Sequence, residues 1–231
     1  MSRPKKKPDY DAEKVMAEFL NAITEAFGAP YDDRNRTGDG SPGLNRVAQE
    51  FGITSLKARK LLITANVYST ETARKIWQLY REGKSLEEIQ EQMHLSRASV
   101  HSYLPYQKSV YKMEELSCNA ERTRLYRERQ QAVRSLMQLK EAGEDLDDVL
   151  WDTLILFQKY PFHTAKNLEF TYTVKGNEIF VDRKEKSITK STVLIAFHRA
   201  LELGPEATGP KKLGTFGASY LYPVFVRFGI L

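Results

Sequence analysis

Residues 83–105 read GKSLEEIQEQMHLSRASVHSYLP, and the fold of the N-terminal half turns on how this stretch is parsed. Ser85 followed by Glu88 has the spacing of a capping box, so a helix is expected over Leu86–Met93 with Ile89 on its inner face. His94, Leu95 and Ser96 make the turn. Ser96 is then the N-cap of a further helix whose inner face is Val100, Tyr103 and Leu104, and Pro105 ends it. Just upstream, Ile76, Leu79 and Tyr80 belong to a helix closed by Gly83. Three short helices around a small apolar core are expected over residues 72–106.

The same register occurs once before. Val47, Ala48, Phe51, Gly52, Ile53, Ala58 and Leu61 predict a helix ending at Phe51 and a second starting near Ser55, taken as its N-cap. Ala48 lets the second helix approach closely and Gly52 accommodates the turn. This stretch resembles the helix-turn-helix of repressors. On the same pattern Ile89, Met93, Leu95, Val100 and Tyr103 take the apolar positions, while Gln90 stands where a small residue is usual and His94 where glycine is usual. Through Gly83-Lys84-Ser85, Glu88-Ile89 and Leu95 to Val100, residues 72–106 resemble the trihelical DNA-binding unit of sigma-70 region 4, LuxR-type regulators and Hin-like serine recombinases. The wider order of parts is similar to helix-turn-helix proteins of bacterial mobile elements. The resemblance implies double-stranded DNA as partner and, in each unit, a recognition helix lying in the major groove.

Charge is distributed accordingly. The 231-residue chain carries a net charge of +5. Lys and Arg exceed Asp and Glu by two over residues 1–69 and by three over 70–135, and they balance over 136–231. No acid lies between Glu50 and Glu71, nor between Glu91 and Glu114, and each window holds a predicted recognition helix. A carboxylate on such a face would repel phosphate. The outward residues expected in the first unit are Ser55, Lys57, Arg59 and Lys60. In the second they are Ser96, Arg97, Ala98, Ser99, His101 and Ser102, with Arg97 the choice for a bidentate contact to guanine. Lys108 and Lys112, interleaved with Tyr106 and Tyr111, either extend the phosphate track or decorate a helix surface. Lys5–Lys7 read equally as a DNA-reaching arm or a solubilising tail. The bland alternative is two helical hairpins with solvated basic faces.

Elsewhere the periodicity predicts a helix within Asp9–Phe27, a loop over Tyr31–Gly43, and two helices at Glu114–Lys140 and Asp145–Lys159. The stripe of Leu125, Val133, Leu136 and Met137 makes this helical connector a candidate dimer surface. Beyond Pro161 the period becomes two: Phe170, Tyr172 and Val174, a Gly176-Asn177 turn, then Ile179 and Val181, with Lys175 facing Glu178. Thr189 caps a helix from Lys190 to Leu203, and an aromatic tail closes the core. The fold class expected is mainly α with a C-terminal α+β module, divided as basic arm, helix and loop (1–43), tandem helix-turn-helix region (44–112), connector (113–160) and α+β module (161–231). That module would dimerise, bind a signal or touch a second protein.

Some functions are disfavoured. A single Cys118 forms no internal disulfide, no apolar run approaches ~20 residues, and no phosphate-binding glycine loop or Gly-x-Ser-x-Gly elbow occurs. His94, His101, His163, His198 and Cys118 lack zinc spacing, so neither metal nor cofactor is expected. A cytoplasmic, nucleoid-associated transcriptional regulator of a bacterium is the leading expectation. Two others stay open: a DNA-cleaving or rearranging enzyme built on Asp182-Arg183-Lys184 with Glu169 and Glu178, and a DNA-binding assembly or partition factor.

Overall fold

The computed structural model describes residues 11–28, 42–106 and 113–231. Among them it holds ten α-helices and five short strands, the strands all C-terminal, so the chain is mainly helical with a C-terminal α+β module. Two compact units divide it, one reaching Tyr126 and the other running from Arg127 to Leu231.

The first unit contains two trihelical bodies. Helices α1 (Ala12–Gly28), α2 (Pro42–Phe51) and α3 (Ser55–Thr64) enclose Phe19, Ile23, Leu44, Val47, Phe51, Ala58, Leu61 and Leu62. Phe19 meets Phe51 edge to face at 5.6 Å, so α1 is the third wall of this body, although it precedes residue 43 in the chain. Helices α4 (Glu71–Arg81), α5 (Leu86–Met93) and α6 (Arg97–Ser102) enclose the smaller set of Ile76, Leu79, Ile89, Val100 and Leu104.

The turns inside the two bodies are the same turn. Gly52 has φ +58° and the Ile53 N–H donates to the Ala48 carbonyl at 2.9 Å; His94 has φ +51° and the Leu95 N–H donates to the Gln90 carbonyl at 3.1 Å. The left-handed residue reverses the chain so that an apolar side chain, Ile53 or Leu95, tucks under the next helix. Gln90 fits where Ala48 sits because its amide folds back onto its own helix, donating to the Leu86 carbonyl at 3.1 Å. Ser85 and Glu88 form the reciprocal capping box, and Ser96 Oγ accepts from the Ser99 N–H at 3.2 Å. In α3 the cap is Thr54 rather than Ser55: Thr54 Oγ1 accepts from the Lys57 N–H at 3.2 Å, while the Ser55 hydroxyl donates to Asn45 Oδ1 at 2.9 Å and ties α3 to α2.

Helix α7 (Met113–Ala142) is shared between the two units. Its first half is seated in the first unit by Tyr126, whose ring lies 4.9 Å from that of Phe51. The buried stripe of α7 is more polar than the sequence reading expects, running through Asn119, Thr123, Tyr126, Arg129 and Leu136. Its second half and α8 (Asp147–Leu156) build the second unit together with a two-stranded sheet, β1 (Phe162–His163) and β2 (Glu169–Phe170), and a three-stranded antiparallel sheet. The latter is β3 (Tyr172–Lys175), β4 (Glu178–Val181) and β5 (Ile188–Thr189) in sequence order. Lys175 does face Glu178 across the Gly176-Asn177 turn.

Helix α9 (Lys190–Leu203), capped by Thr189, and α10 (Ala218–Arg227) complete the core around Phe157, Phe197, Phe225 and Phe228. Because Val133 and Leu136 pack into this core together with Leu150 and Leu154, the connector is not a separate layer, and these two residues of the stripe expected to dimerise are covered within their own unit. No helix among the described residues is long and apolar enough to cross a membrane.

Candidate nucleic-acid interface

The site is built from the two helices that follow the left-handed turns. Capping by Thr54 and by Ser96 starts α3 and α6 in the same phase, so Ala58 and Val100, both with no solvent exposure, are the equivalent inward residues. In that phase Ser55 corresponds to Arg97, Leu56 to Ala98, Lys57 to Ser99, Arg59 to His101 and Lys60 to Ser102.

On α6, Ser96, Arg97, Ala98 and His101 are exposed. The Arg97 side chain is 66% exposed, and its Nη1 lies 3.5 Å from Oε1 of Glu87, a carboxylate 68% exposed on α5. Ser99 is half-buried, with its hydroxyl 2.9 Å from that of Ser96. Ser102 is turned away from the expected outward face: its hydroxyl donates to the Ser99 carbonyl at 2.7 Å and accepts from Arg59 Nη1 at 3.4 Å.

Helix α3 is less free. Ser55, Lys57, Arg59 and Lys60 are all half-buried. The Arg59 guanidinium lies 5.1 Å from the centroid of the Tyr103 ring, and the Lys57 ammonium 5.4 Å from that of Tyr106. Tyr106 also donates its backbone N–H to Thr64 Oγ1 at 2.8 Å. The segment leaving α6 thus crosses the face of α3 that the sequence assigns to solvent. Arg59 in particular is directed at the neighbouring body rather than outward. The physical cause is the pair of tyrosines, which offer the cations rings to lie on.

This packing fixes a geometric limit. Recognition helices serving successive major grooves on one side of a duplex stand about 34 Å apart. Here side chains of α3 and α6 touch, so as packed the two helices stand too close together for that spacing.

Two features escape the sequence reading. Leu56, 52% exposed, projects from the outward face of α3, where an apolar side chain suits a thymine methyl group. Its signal was available, since it sits one residue after Ser55 in the same phase as Ala98. Glu87 was not legible, because only the fold carries an acid of α5 to Arg97. Glu50, at the edge of the first acid-free window, is buried, so it puts no carboxylate on this surface. Lys108, Lys112 and Lys5–Lys7 lie outside the described residues.

The three acids weighed for catalysis are separately engaged. Asp182 Oδ2 accepts from the Thr171 N–H and hydroxyl at 3.0 and 3.1 Å, Glu169 lies 3.7 Å from His163, and Glu178 accepts from the Ser187 hydroxyl at 3.1 Å. Among the described residues no three His, Cys, Asp or Glu gather where a metal could be held. Comparison with family models, with curated proteins and with solved structures gives no match to this chain.

Proposed function

We propose that the chain is a sequence-specific double-stranded DNA-binding protein acting as a transcriptional regulator by occupancy of its site. Helix α6 is the principal reader. Arg97 takes a guanine edge, Ser96, Ser99 and His101 take phosphates or neighbouring base edges, and Ala98 allows close approach. Helix α3, joined to α6 through Arg59 and Ser102, lies beside it, where Leu56 and Lys60 meet the flanking base pairs and backbone.

The observation that carries this reading is the outer face of α6: an exposed arginine, histidine and serine on a short capped helix, held by a two-turn scaffold, with no acid between Glu91 and Glu114. Selection from random duplexes followed by binding measurements tests it. Arg97→Ala is expected to weaken the selected site by roughly 1–3 kcal/mol while leaving random duplex nearly unchanged. Equal loss on both kinds of duplex would show that Arg97 does not read bases, and failure to select any sequence would end the proposal.

A further inference from the structure

The charge balance of residues 136–231 conceals a segregation in the second unit. Two loops there carry five cations and two acids: Arg183, Lys184 and Lys186 with Asp182 and Glu185 between β4 and β5, and Lys211 and Lys212 in the 3-10 turn Pro210–Leu213. All seven of these residues are exposed. The segment that follows the 3-10 turn meets the first loop where Gly217 packs directly on β5, so closely that a Cβ there would lie 2.3 Å from Ile188 Cδ1. Phe216, the residue before it, is thereby brought beside the lysines while remaining 39% exposed. The ammonium groups of Lys184 and Lys186 lie 4.4 and 5.1 Å from the centroid of its ring.

Two like charges over one ring need an account. A carboxylate would gather lysines by neutralising them, whereas the quadrupole of an aromatic ring gathers them and leaves their charge in place. Among the described residues neither ammonium has a carboxylate at ion-pair distance. The nearest acid in sequence on the strand side, Asp182, is occupied by Thr171. The cluster therefore offers pre-gathered, unquenched cations, and a phosphate accepting from an ammonium gains a charge-assisted hydrogen bond in exchange for a weak contact to a ring.

We propose that this lysine cluster around Phe216 is a second nucleic-acid contact, gripping backbone phosphates without reading sequence. The choice of duplex DNA as the polyanion rests on the reading of α6 above, whereas the cluster itself does not.

The test uses the full chain and a random-sequence duplex, with affinity followed between 50 and 200 mM salt. Each lost phosphate contact lowers the slope of log affinity against log salt by about 0.9. Lys184→Gln/Lys186→Gln should therefore reduce the slope by about 1.8, and Phe216→Leu, which keeps apolar bulk but removes the ring, by less, with circular dichroism unchanged. Arg97→Ala is measured alongside on a selected site. A reduced slope in the lysine variant with no loss of specificity in Arg97→Ala keeps the cluster and removes the α6 reading. An unchanged slope in the lysine variant with lost specificity in Arg97→Ala overturns the cluster alone. Phosphatidylserine vesicles form the remaining arm: loss of vesicle retention in the lysine variant with an unchanged DNA slope would assign the cluster to an anionic membrane surface and overturn the proposal.

Discussion

Glu87 is the acid beside Arg97 on the proposed DNA-contacting surface, and removing its charge gives a sharp test of whether Arg97 meets DNA. The carboxylate is 3.5 Å from the guanidinium, and both side chains are about two-thirds exposed. Such a pair is worth only ~0.2–1 kcal/mol, so DNA can draw Arg97 away at small cost. The carboxylate also repels any phosphate that Arg97 approaches. With Arg97 between them the two anions stand roughly 7 Å apart, which is ~0.6 kcal/mol in bulk water before screening, and less at 0.15 M salt, where the Debye length is ≈ 8 Å.

Glu87→Gln should therefore tighten duplex binding by about 0.5–1 kcal/mol, a ~2–5-fold lower Kd at 50 mM salt, and the gain should fade as salt rises. Fluorescence anisotropy on a selected and a random duplex at several salt concentrations measures this. Unchanged binding at low salt would mean that Arg97 and Glu87 stay away from the DNA. Weaker binding confined to the selected site would refute the reasoning in another way, because Glu87 would then be holding Arg97 in place or reading a cytosine amine itself.

Further outcomes follow from the turns and caps. His94 holds a left-handed φ of +51° at the exposed end of α5, where glycine carries no Cβ penalty, so His94→Gly should raise the thermal midpoint by an amount equivalent to about 1 kcal/mol, with DNA affinity unaltered. Lower stability would show that the imidazole makes a contact of its own. The Ser85 backbone and hydroxyl hold the Glu88 carboxyl below its ordinary value of 4.5. Because the folded-state value is the lower one, the stabilisation is present above about pH 4.5 and is lost as pH falls through the folded-state value. A carboxyl titration by NMR should show a Glu88 midpoint below 4.5 that moves only part of the way back in Ser85→Ala, which removes the hydroxyl but keeps the backbone N–H. An unshifted Glu88 in the wild-type chain would rule out the capping box in solution.

The degree to which this molecule is legible from its sequence varies with the range of the interaction. Ser85, Glu88, Ser96, Thr189 and the Gly176-Asn177 turn act within a few residues of themselves, so their patterns predict the elements they start or reverse. The cap of α3 shifts from Ser55 to Thr54 because two adjacent hydroxyl residues compete, and Asn45, ten residues away, decides between them. The membership of α1 in the first core depends on Phe19 meeting Phe51 across residues whose pattern says only loop. The polar stripe of α7 hides for a similar reason. Asn119, Thr123 and Arg129 look like surface residues until the fold covers them: the Thr123 hydroxyl turns back onto the Asn119 carbonyl of its own helix, and Arg129 lies against Phe157 and Tyr160.

The candidate interface shows the same division with a functional consequence. Missing acids and outward phase are local properties, and they mark α3 and α6 equally. What separates the two helices is the crossing of Tyr103 and Tyr106 over α3, which the sequence records only as aromatic residues after a recognition helix. With Arg59 lying on Tyr103 and reaching Ser102, the proposed function would not have the two bodies act as independent readers spaced by a helical turn of DNA. A joined pair of this kind should protect one continuous footprint rather than two half-sites about ten base pairs apart, and selected sequences should carry a single block of preference centred on the bases beneath Arg97. Two separated blocks would require the Arg59–Ser102 contact to open on DNA. Arg59→Ala would then leave that pattern unchanged, whereas in a joined pair it should degrade preference at the end of the block nearest α3.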